Sequence, residues 1–147
     1  MRIYVASSWR NHYQPHIIRV LRDEGHEVYD FRNPRPGDHG FSWSDISANW
    51  QDWDPEQYRK ALMHPVAIGG YRSDFKTMQT AEACVLALPC GRSAHLEAGW
   101  FIGAGRPLHI LILEHCEPEL MYKMAAGIHV SLEELCVALR REARERL

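Results

Sequence analysis

Residues 83–100, ACVLALPCGRSAHLEAGW, join a wholly apolar strand to a helix through a short turn. The apolar run stops at Pro89, and small and apolar residues continue from there to glycines near residue 105. An uninterrupted apolar strand is typical of a parallel sheet that is covered on both faces. A single carboxylate, Glu97, stands in the early turns of this helix. Ser93 or Gly91 can cap the helix start, and the small or apolar neighbours of Glu97 predict a close-packed helix.

The same alternation of strand and helix extends in both directions along the chain. The predicted strands are RIYVAS (2–7), HEVYDF (26–31), the run ending at Pro89, PLHILIL (107–113) and GIHVS (127–131). The predicted helices cover 13–24 with Gly25 at the end, 55–63, a segment opening at Gly70, 93–105, 119–125 and a closing helix with a Ser131–Glu134 capping box. The pattern predicts an α/β fold: a flavodoxin-like, doubly wound, mainly parallel sheet of four to five strands with helices on both faces.

The chain of 147 residues predicts one domain, 1–147, with a long aromatic loop at about 32–60. This loop contains three prolines and three tryptophans within 33–55 and has no clean period. A loop of that length in a small domain is usually functional or disordered, and its aromatic content argues against disorder.

Composition narrows the possible partners. The chain is 46% hydrophobic and 24% charged, with a formal net charge of −2, so no basic field indicates nucleic acid binding. No apolar run has the length of a membrane span, and the start does not resemble a signal peptide. The four cysteines form no C-x-x-C pair. We therefore expect reduced thiols and a cytoplasmic protein with no membrane partner.

In doubly wound sheets, ligands bind beyond the carboxyl ends of the strands. That rule selects three segments as the predicted site: ASSWRN (6–11), DFRNP (30–34) and PCGRSAH (89–95). The candidate binding residues in these segments are Trp9, Asp30, Gly91, Arg92 and Ser93. Arg92 and Ser93 could bind a phosphate or carboxylate at the helix start, or Arg92 could simply be solvated.

Two carboxylates are candidates for chemistry. Glu97 could be an acid favoured by the helix dipole, or a nucleophile kept ionised by nearby backbone N–H groups. Asp74, early in the helix that opens at Gly70, could be an exposed acid or could face the same cleft. One carboxylate would then attack carbon while the other exchanges a proton with the leaving group, which suits glycosidic bond cleavage.

Two aromatic residues have both a structural and a functional interpretation. Tyr4 could be a core aromatic, or its hydroxyl could orient a nucleophilic carboxylate. Trp43 could pack the long loop or provide a flat surface on which a base stacks. No Cys/His cluster has metal-ligand spacing and no dinucleotide fingerprint follows a strand, so no metal and no cofactor are predicted.

Three motifs in order resemble one family. IYVASSW (3–9), SDF (73–75) and GRSAHLEAGW (91–100) are similar to segments of the nucleoside 2-deoxyribosyltransferase family, which includes related deoxynucleoside 5′-monophosphate N-glycosidases. The resemblance extends from Met1 to about Leu135. It implies a flavodoxin-like domain that breaks the N-glycosidic bond of a nucleoside or nucleotide. It also implies a homo-oligomer whose neighbouring subunit completes the pocket.

Matched residue by residue, the resemblance implies that Glu97 attacks the anomeric carbon and holds the sugar covalently. Asp74 matches the acid that protonates the departing base, and Tyr4 matches the tyrosine that positions the nucleophile. Another base or water would then resolve the intermediate. Two alternatives remain open at this point: cleavage of the nicotinamide–ribose bond of NAD, and a non-catalytic nucleotide sensor.

Overall fold

Five parallel strands form a single sheet in the order β2-β1-β3-β4-β5. The computed structural model describes all 147 residues. The strands are β1 (Arg2–Ala6), β2 (Glu27–Tyr29), β3 (Ala83–Ala87), β4 (Leu108–Leu111) and β5 (Gly127–His129). The helices are α1 (Gln14–Asp23), α2 (Pro55–Ala61), α3 (Pro65–Thr80), α4 (Arg92–Gly103) and α5 (Leu132–Glu145). The predicted flavodoxin-like sheet is confirmed, with five strands.

The chain divides into two compact units. The first comprises Met1–Tyr29 and Thr80–Leu147 and contains the sheet with α1, α4 and α5. The second comprises Asp30–Gln79 and contains α2, all but the end of α3, and two short 3-10 turns, Trp43–Asp45 and Trp50–Asp52.

In the first unit, helices pack on both faces of the sheet. Successive strand residues point to opposite faces, so each strand contributes side chains to both layers. On one face, Ile3 and Val5 of β1 join the apolar residues of α1 and α5 in the main core. On the other face, the Tyr4 ring lies 5.7 Å from the ring of Phe101 in α4. The helices α1 and α4 therefore cover opposite faces of the sheet.

Aromatic packing organises the second unit. The Trp43 ring makes edge contacts with Phe41, Trp53 and Tyr58, at centroid distances of 4.7, 5.7 and 5.8 Å. Asp54 caps α2 with a full capping box, in which its side chain and that of Gln57 each accept a hydrogen bond from the other's backbone N–H. A small aromatic core therefore orders the segment for which the sequence predicts a loop.

The largest error in the predicted elements is the start of α3. This helix begins at Pro65, whereas the sequence predicted a start at Gly70, because adjacent Gly69 and Gly70 resemble a break. Glycine at position 70 has a packing reason, because a Cβ there would lie 3.0 Å from the Cβ of Phe41. Segment 119–125, predicted as a short helix, is a 3-10 turn at Leu120–Met124.

The helix ends follow the predicted chemistry closely. Gly25 and Gly105 have φ of 85° and 69° just after α1 and α4, a left-handed conformation that glycine adopts without strain. The Ser131 hydroxyl accepts a hydrogen bond from the Glu134 N–H at the start of α5. None of the helices combines the length and the apolar character that a membrane span requires.

Candidate active site

The crevice of the sheet lies between the carboxyl ends of β1 and β3. These strands are adjacent and parallel, and the helices that follow them leave to opposite faces. This is the switch point at which doubly wound sheets bind ligands. Two of the three predicted segments, 6–11 and 89–95, border it.

Two hydrogen bonds fasten the loop after β1 to the end of β3. The Ser7 hydroxyl and the Asn11 side-chain amide each donate to the Ala87 carbonyl, at 3.1 Å. The Asn11 side-chain oxygen accepts from the Tyr13 N–H at 2.8 Å, and Asn11 is fully buried. Sequence reasoning missed Asn11, although it lies in a segment selected by the switch-point rule. Its role depends on a carbonyl 76 residues away.

Glu97 is the sixth residue of α4 and is half-buried. Burial, and then the negative charge of Glu97, raise the pKa of the Cys84 thiol in β3. The same two causes raise the pKa of Cys90 to about 12. The carboxylate of Glu97 is therefore close enough to both thiols for its charge to act on them.

Tyr4 lies on the same side of the sheet as Cys84, its register partner on the neighbouring strand. Its ring is 1% exposed and stacks on Tyr29 at 5.7 Å with an interplanar angle of 18°. Cys84 thus lies beside Tyr4 in the sheet and within reach of the charge of Glu97, and the Tyr4 ring is part of the core. Its predicted positioning role stays a prediction.

The start of α4 is open to solvent. Gly91 is the N-cap, in an extended conformation, and no side chain caps the helix, so of the two predicted capping residues Ser93 does not serve. Arg92 and Ser93 are both exposed. The predicted close packing around Glu97 is only partly confirmed. Ala94 and Ala98 are buried, but Leu96 is 78% exposed.

His95 and Tyr122 form a second feature of this region that sequence reasoning missed. The His95 Nδ1 lies 2.7 Å from the Gly91 carbonyl oxygen, and its Nε2 lies 2.8 Å from the Tyr122 hydroxyl. Because a carbonyl only accepts, Nδ1 carries a hydrogen, and in the neutral ring the Tyr122 hydroxyl donates to Nε2. The two rings also stack, with an interplanar angle of 13°. Nothing in the sequence pairs residues 27 positions apart.

This His95–Tyr122 pair fixes the 3-10 turn at Leu120–Met124 onto α4, two residues from Glu97. Burial is the main cause that raises the pKa of Tyr122, so the hydroxyl remains a hydrogen-bond donor. Beside the pair lies an open groove of about 640 Å³, lined by Cys90, Gly91, Arg92, His95 and Leu96. Arg92 gives this groove a positive charge.

The remaining predicted binding residues lie in loops. Trp9, in the loop after β1, is 53% exposed. Asp30 forms a local turn, in which its carboxylate accepts from the Arg32 N–H at 3.0 Å and from the Asn33 amide at 3.1 Å. Trp43 is the centre of the aromatic core of the second unit.

Asp74 is half-buried and lies in the second unit. It is the tenth residue of α3, so the predicted position early in a helix is wrong, for the reason given for the helix start. No group of three or more His, Cys, Asp or Glu side chains is arranged to hold a metal ion.

The strand order and the crevice define the class of fold: a flavodoxin-like, doubly wound α/β domain whose switch point lies between β1 and β3. No protein-family model matches the chain, and no curated protein sequence matches it. Solved structures do match it. One is a 2-deoxyribosyltransferase from the psychrotolerant bacterium Bacillus psychrosaccharolyticus, with 17% identity and a TM-score of 0.60, over 92% of this chain and 90% of that chain.

Two further solved structures share the fold over nearly the whole length of both chains. The Clostridium botulinum CMP N-glycosidase BcmB has 15% identity and a TM-score of 0.50, and covers 95% of this chain and 99% of its own. A conserved protein from Enterococcus faecalis V583 has 15% identity and a TM-score of 0.58, with coverages of 100% and 99%. At such identity the likeness establishes the fold. The resemblance of the sequence motifs is supported at that level.

Proposed function

We propose that this protein cleaves the N-glycosidic bond of a nucleoside or nucleotide by double displacement at Glu97. The observation that carries the proposal is the position of Glu97, a half-buried carboxylate on the helix that follows β3, in a fold shared with a deoxyribosyltransferase and a CMP N-glycosidase. Partial burial limits the water that competes for the carboxylate, and the ionised form is the nucleophile.

The proposed reaction has two steps. A Glu97 oxygen forms a bond to the anomeric carbon while the carbon–nitrogen bond to the base breaks. The released electron pair goes to the base nitrogen, which takes a proton from Asp74. In the second step another base, or water, attacks the anomeric carbon, the ester to Glu97 breaks, and Asp74 takes up the proton of the attacking group.

The surroundings suit this assignment. Asn11 and Ser7 fasten the loop after β1 to the end of β3 at the Ala87 carbonyl, which keeps the site preorganised. We assign Tyr4 to positioning of Glu97, and Trp9, Asp30, Trp43, Gly91, Arg92 and Ser93 to substrate binding. The positive groove at Arg92 is compatible with a 5′-phosphate as well as a free 5′-hydroxyl.

We also propose that the protein functions as a homo-oligomer. Leu120, Met121 and Met124 are 75%, 56% and 51% exposed, and they belong to the turn that Tyr122 anchors beside the groove. Clustered apolar surface of this kind is typical of subunit contacts.

The first test measures release of free base by chromatography. Wild-type protein meets a panel of nucleosides and 5′-monophosphates, each with and without an acceptor base, beside Glu97→Gln and the exposed-site control Glu133→Gln. We expect Glu97→Gln to reduce turnover at least about a thousandfold, because the amide is a far weaker nucleophile, and Glu133→Gln to leave it unchanged. A new nucleoside in the acceptor samples identifies a transferase.

Other outcomes of this assay point elsewhere. Full activity of Glu97→Gln contradicts the mechanism. If folded wild-type protein releases no base but liberates nicotinamide from NAD, the substrate is a dinucleotide. If ligands raise the melting temperature without any product, the protein is a sensor.

The second test concerns Asp74. Replacing Asp74 with Asn removes the proton donor, so we expect cleavage to slow by about 10²–10⁴-fold for substrates whose base must be protonated to leave. A substrate whose base leaves as a stable anion should lose much less. The exposed control Asp52→Asn should match wild type. An equal loss for both kinds of leaving group would contradict the acid role.

A further inference from the structure

A buried chain of titratable groups joins the sheet to α5. The His109 Nε2 lies 2.7 Å from Oε2 of Glu142, and the His109 Nδ1 lies 3.0 Å from the Nε2 of His129. Arg146 donates to the other Glu142 oxygen at 2.8 Å. His109 and His129 are 4% and 8% exposed.

This cluster is on the face of the sheet opposite to Glu97. His109 is the register partner of Val85, which belongs to the core shared with α5. Tyr4 and Cys84 point to the other face, towards α4. The proposed glycosidic chemistry does not use the cluster.

Hydrogen-bond chemistry limits how many protons the cluster can hold. The Glu142 carboxylate only accepts, so the His109 Nε2 carries a hydrogen. With both rings neutral, the His129 Nε2–H donates to the His109 Nδ1. The cluster can hold one added proton. His109 then carries a hydrogen on both ring nitrogens and donates from its Nδ1 to the Nε2 of His129, which stays neutral with its hydrogen on its own Nδ1. A second proton would set two N–H groups against each other across 3.0 Å.

The charged groups that bind the cluster or whose charge acts on His129 come from α5 and its end. Glu142 and Arg146 are hydrogen-bonded members of the cluster. The charge of Glu134 raises the pKa of His129, against the causes that lower it. Burial, and then the neighbouring His109, lower the pKa of His129. Burial raises the pKa of Glu142, but hydrogen bonds from His109 and Arg146 outweigh it and lower that pKa overall. The strands β4 and β5 contribute only the two histidines.

The backbone beneath His129 is adapted to this arrangement. A Cβ on Gly127 would lie 2.8 Å from the His129 Nε2 and 3.4 Å from the His109 Nδ1. Glycine at this position therefore leaves the space in which the two rings meet.

We propose that His109, His129 and Glu142 form a proton-sensitive lock that fastens α5 to the sheet at neutral pH and weakens on acidification. The unfolded chain binds a proton at His129 below about pH 6.5, whereas the folded chain resists it. Stability from the lock is therefore present above this pH and is lost as the pH falls towards the folded pKa of His129. The lowered pKa of Glu142 adds a further loss of stability only when the pH falls below about 4.5, the ordinary pKa of a glutamate.

Thermal unfolding between about pH 7.5 and about pH 5 tests the lock, with wild type, His129→Gln and the exposed-site control His115→Gln. Glutamine at 129 can still donate to His109 but does not titrate. On acidification, we expect the melting temperatures of wild type and His115→Gln to fall further than that of His129→Gln. The additional fall should be about 3–5 °C for each pH unit by which the His129 pKa is lowered. Parallel curves for all three proteins would overturn the proposal.

A measurement on the wild type alone makes the test independent of the variant's folding. NMR titration of the histidine ring signals should give His129 a lower pKa in the folded protein than in the denatured protein. A folded-state pKa equal to or above the denatured one would overturn the lock. His26 is also buried and has a pKa lowered by burial. It is present in all three proteins of the thermal unfolding test, so its contribution to the difference between their melting temperatures cancels.

Discussion

A carboxylate changes the acidity of the groups that it approaches, and Glu97 does so for two thiols. Its charge adds to burial in raising the pKa of Cys84 and of Cys90, which reaches about 12. Both thiols stay protonated near neutral pH, so neither competes with Glu97 as a nucleophile.

At the same scale, any side chain added at Gly127 is expected to destabilise the folded protein. Gly127→Ala places a methyl group against the His129 ring, and relief of that contact should cost about 1–3 kcal/mol of unfolding free energy, measured by urea denaturation. Gly103→Ala is the matched control, because nothing lies within 4 Å of its added Cβ and alanine favours a helix. Equal stability of the two variants would show that His129 moves aside freely.

The helix α5 connects several features of the first unit. Leu135, Cys136 and Leu139 fill the core beneath it, Ser131 caps its start, and Glu142 binds His109 near its end. An outer ion pair joins Arg140 to Glu24, which follows α1, but exposed pairs contribute little. Apolar packing thus dominates the attachment of α5, and the histidine cluster modulates it.

The prediction at this scale compares two aliphatic residues of α5. Leu139 is fully buried, so Leu139→Ala should lower the unfolding free energy by about 2–5 kcal/mol through lost contacts and an unfilled cavity. Val137 is 54% exposed, and Val137→Ala should change it by no more than about 0.5 kcal/mol. Chemical denaturation measures both. A small effect at Leu139 would mean that α5 is not part of the cooperative core.

For the whole molecule, burial and thiol pKa together rank the reactivity of the four free cysteines. Cys84 and Cys136 are buried and have pKa values raised mainly by burial, and the pKa of Cys90 is raised to about 12. Cys90 and Cys116 are both half-buried, so the raised pKa of Cys90 is what separates these two thiols.

We therefore expect a thiol reagent at about pH 8 to modify one cysteine quickly in the folded protein and all four after denaturation. Cys116→Ser should abolish the fast phase, whereas Cys136→Ser should keep it. Rapid reaction of two or more thiols in native protein would contradict this ranking by burial and pKa.

The sequence alone determined the order of the strands along the chain and the fold class, because apolar periodicity and helix-end chemistry are local signals. It placed α1, α4 and α5 within a few residues, and it drew attention to the segments after β1 and β3. It misplaced the start of α3, since two adjacent glycines look locally like a helix break, although Gly70 is there to permit contact with Phe41.

Only the tertiary structure decided which distant residues meet. It joined Asn11 to Ala87, His95 to Tyr122, and His109 to His129 and Glu142. Each of these contacts spans at least 20 residues, and hydrogen bonds of this kind leave no periodic pattern in the sequence. Burial is likewise a property of the assembled core, which is why Leu96 is exposed on α4 while a histidine pair is buried beneath α5.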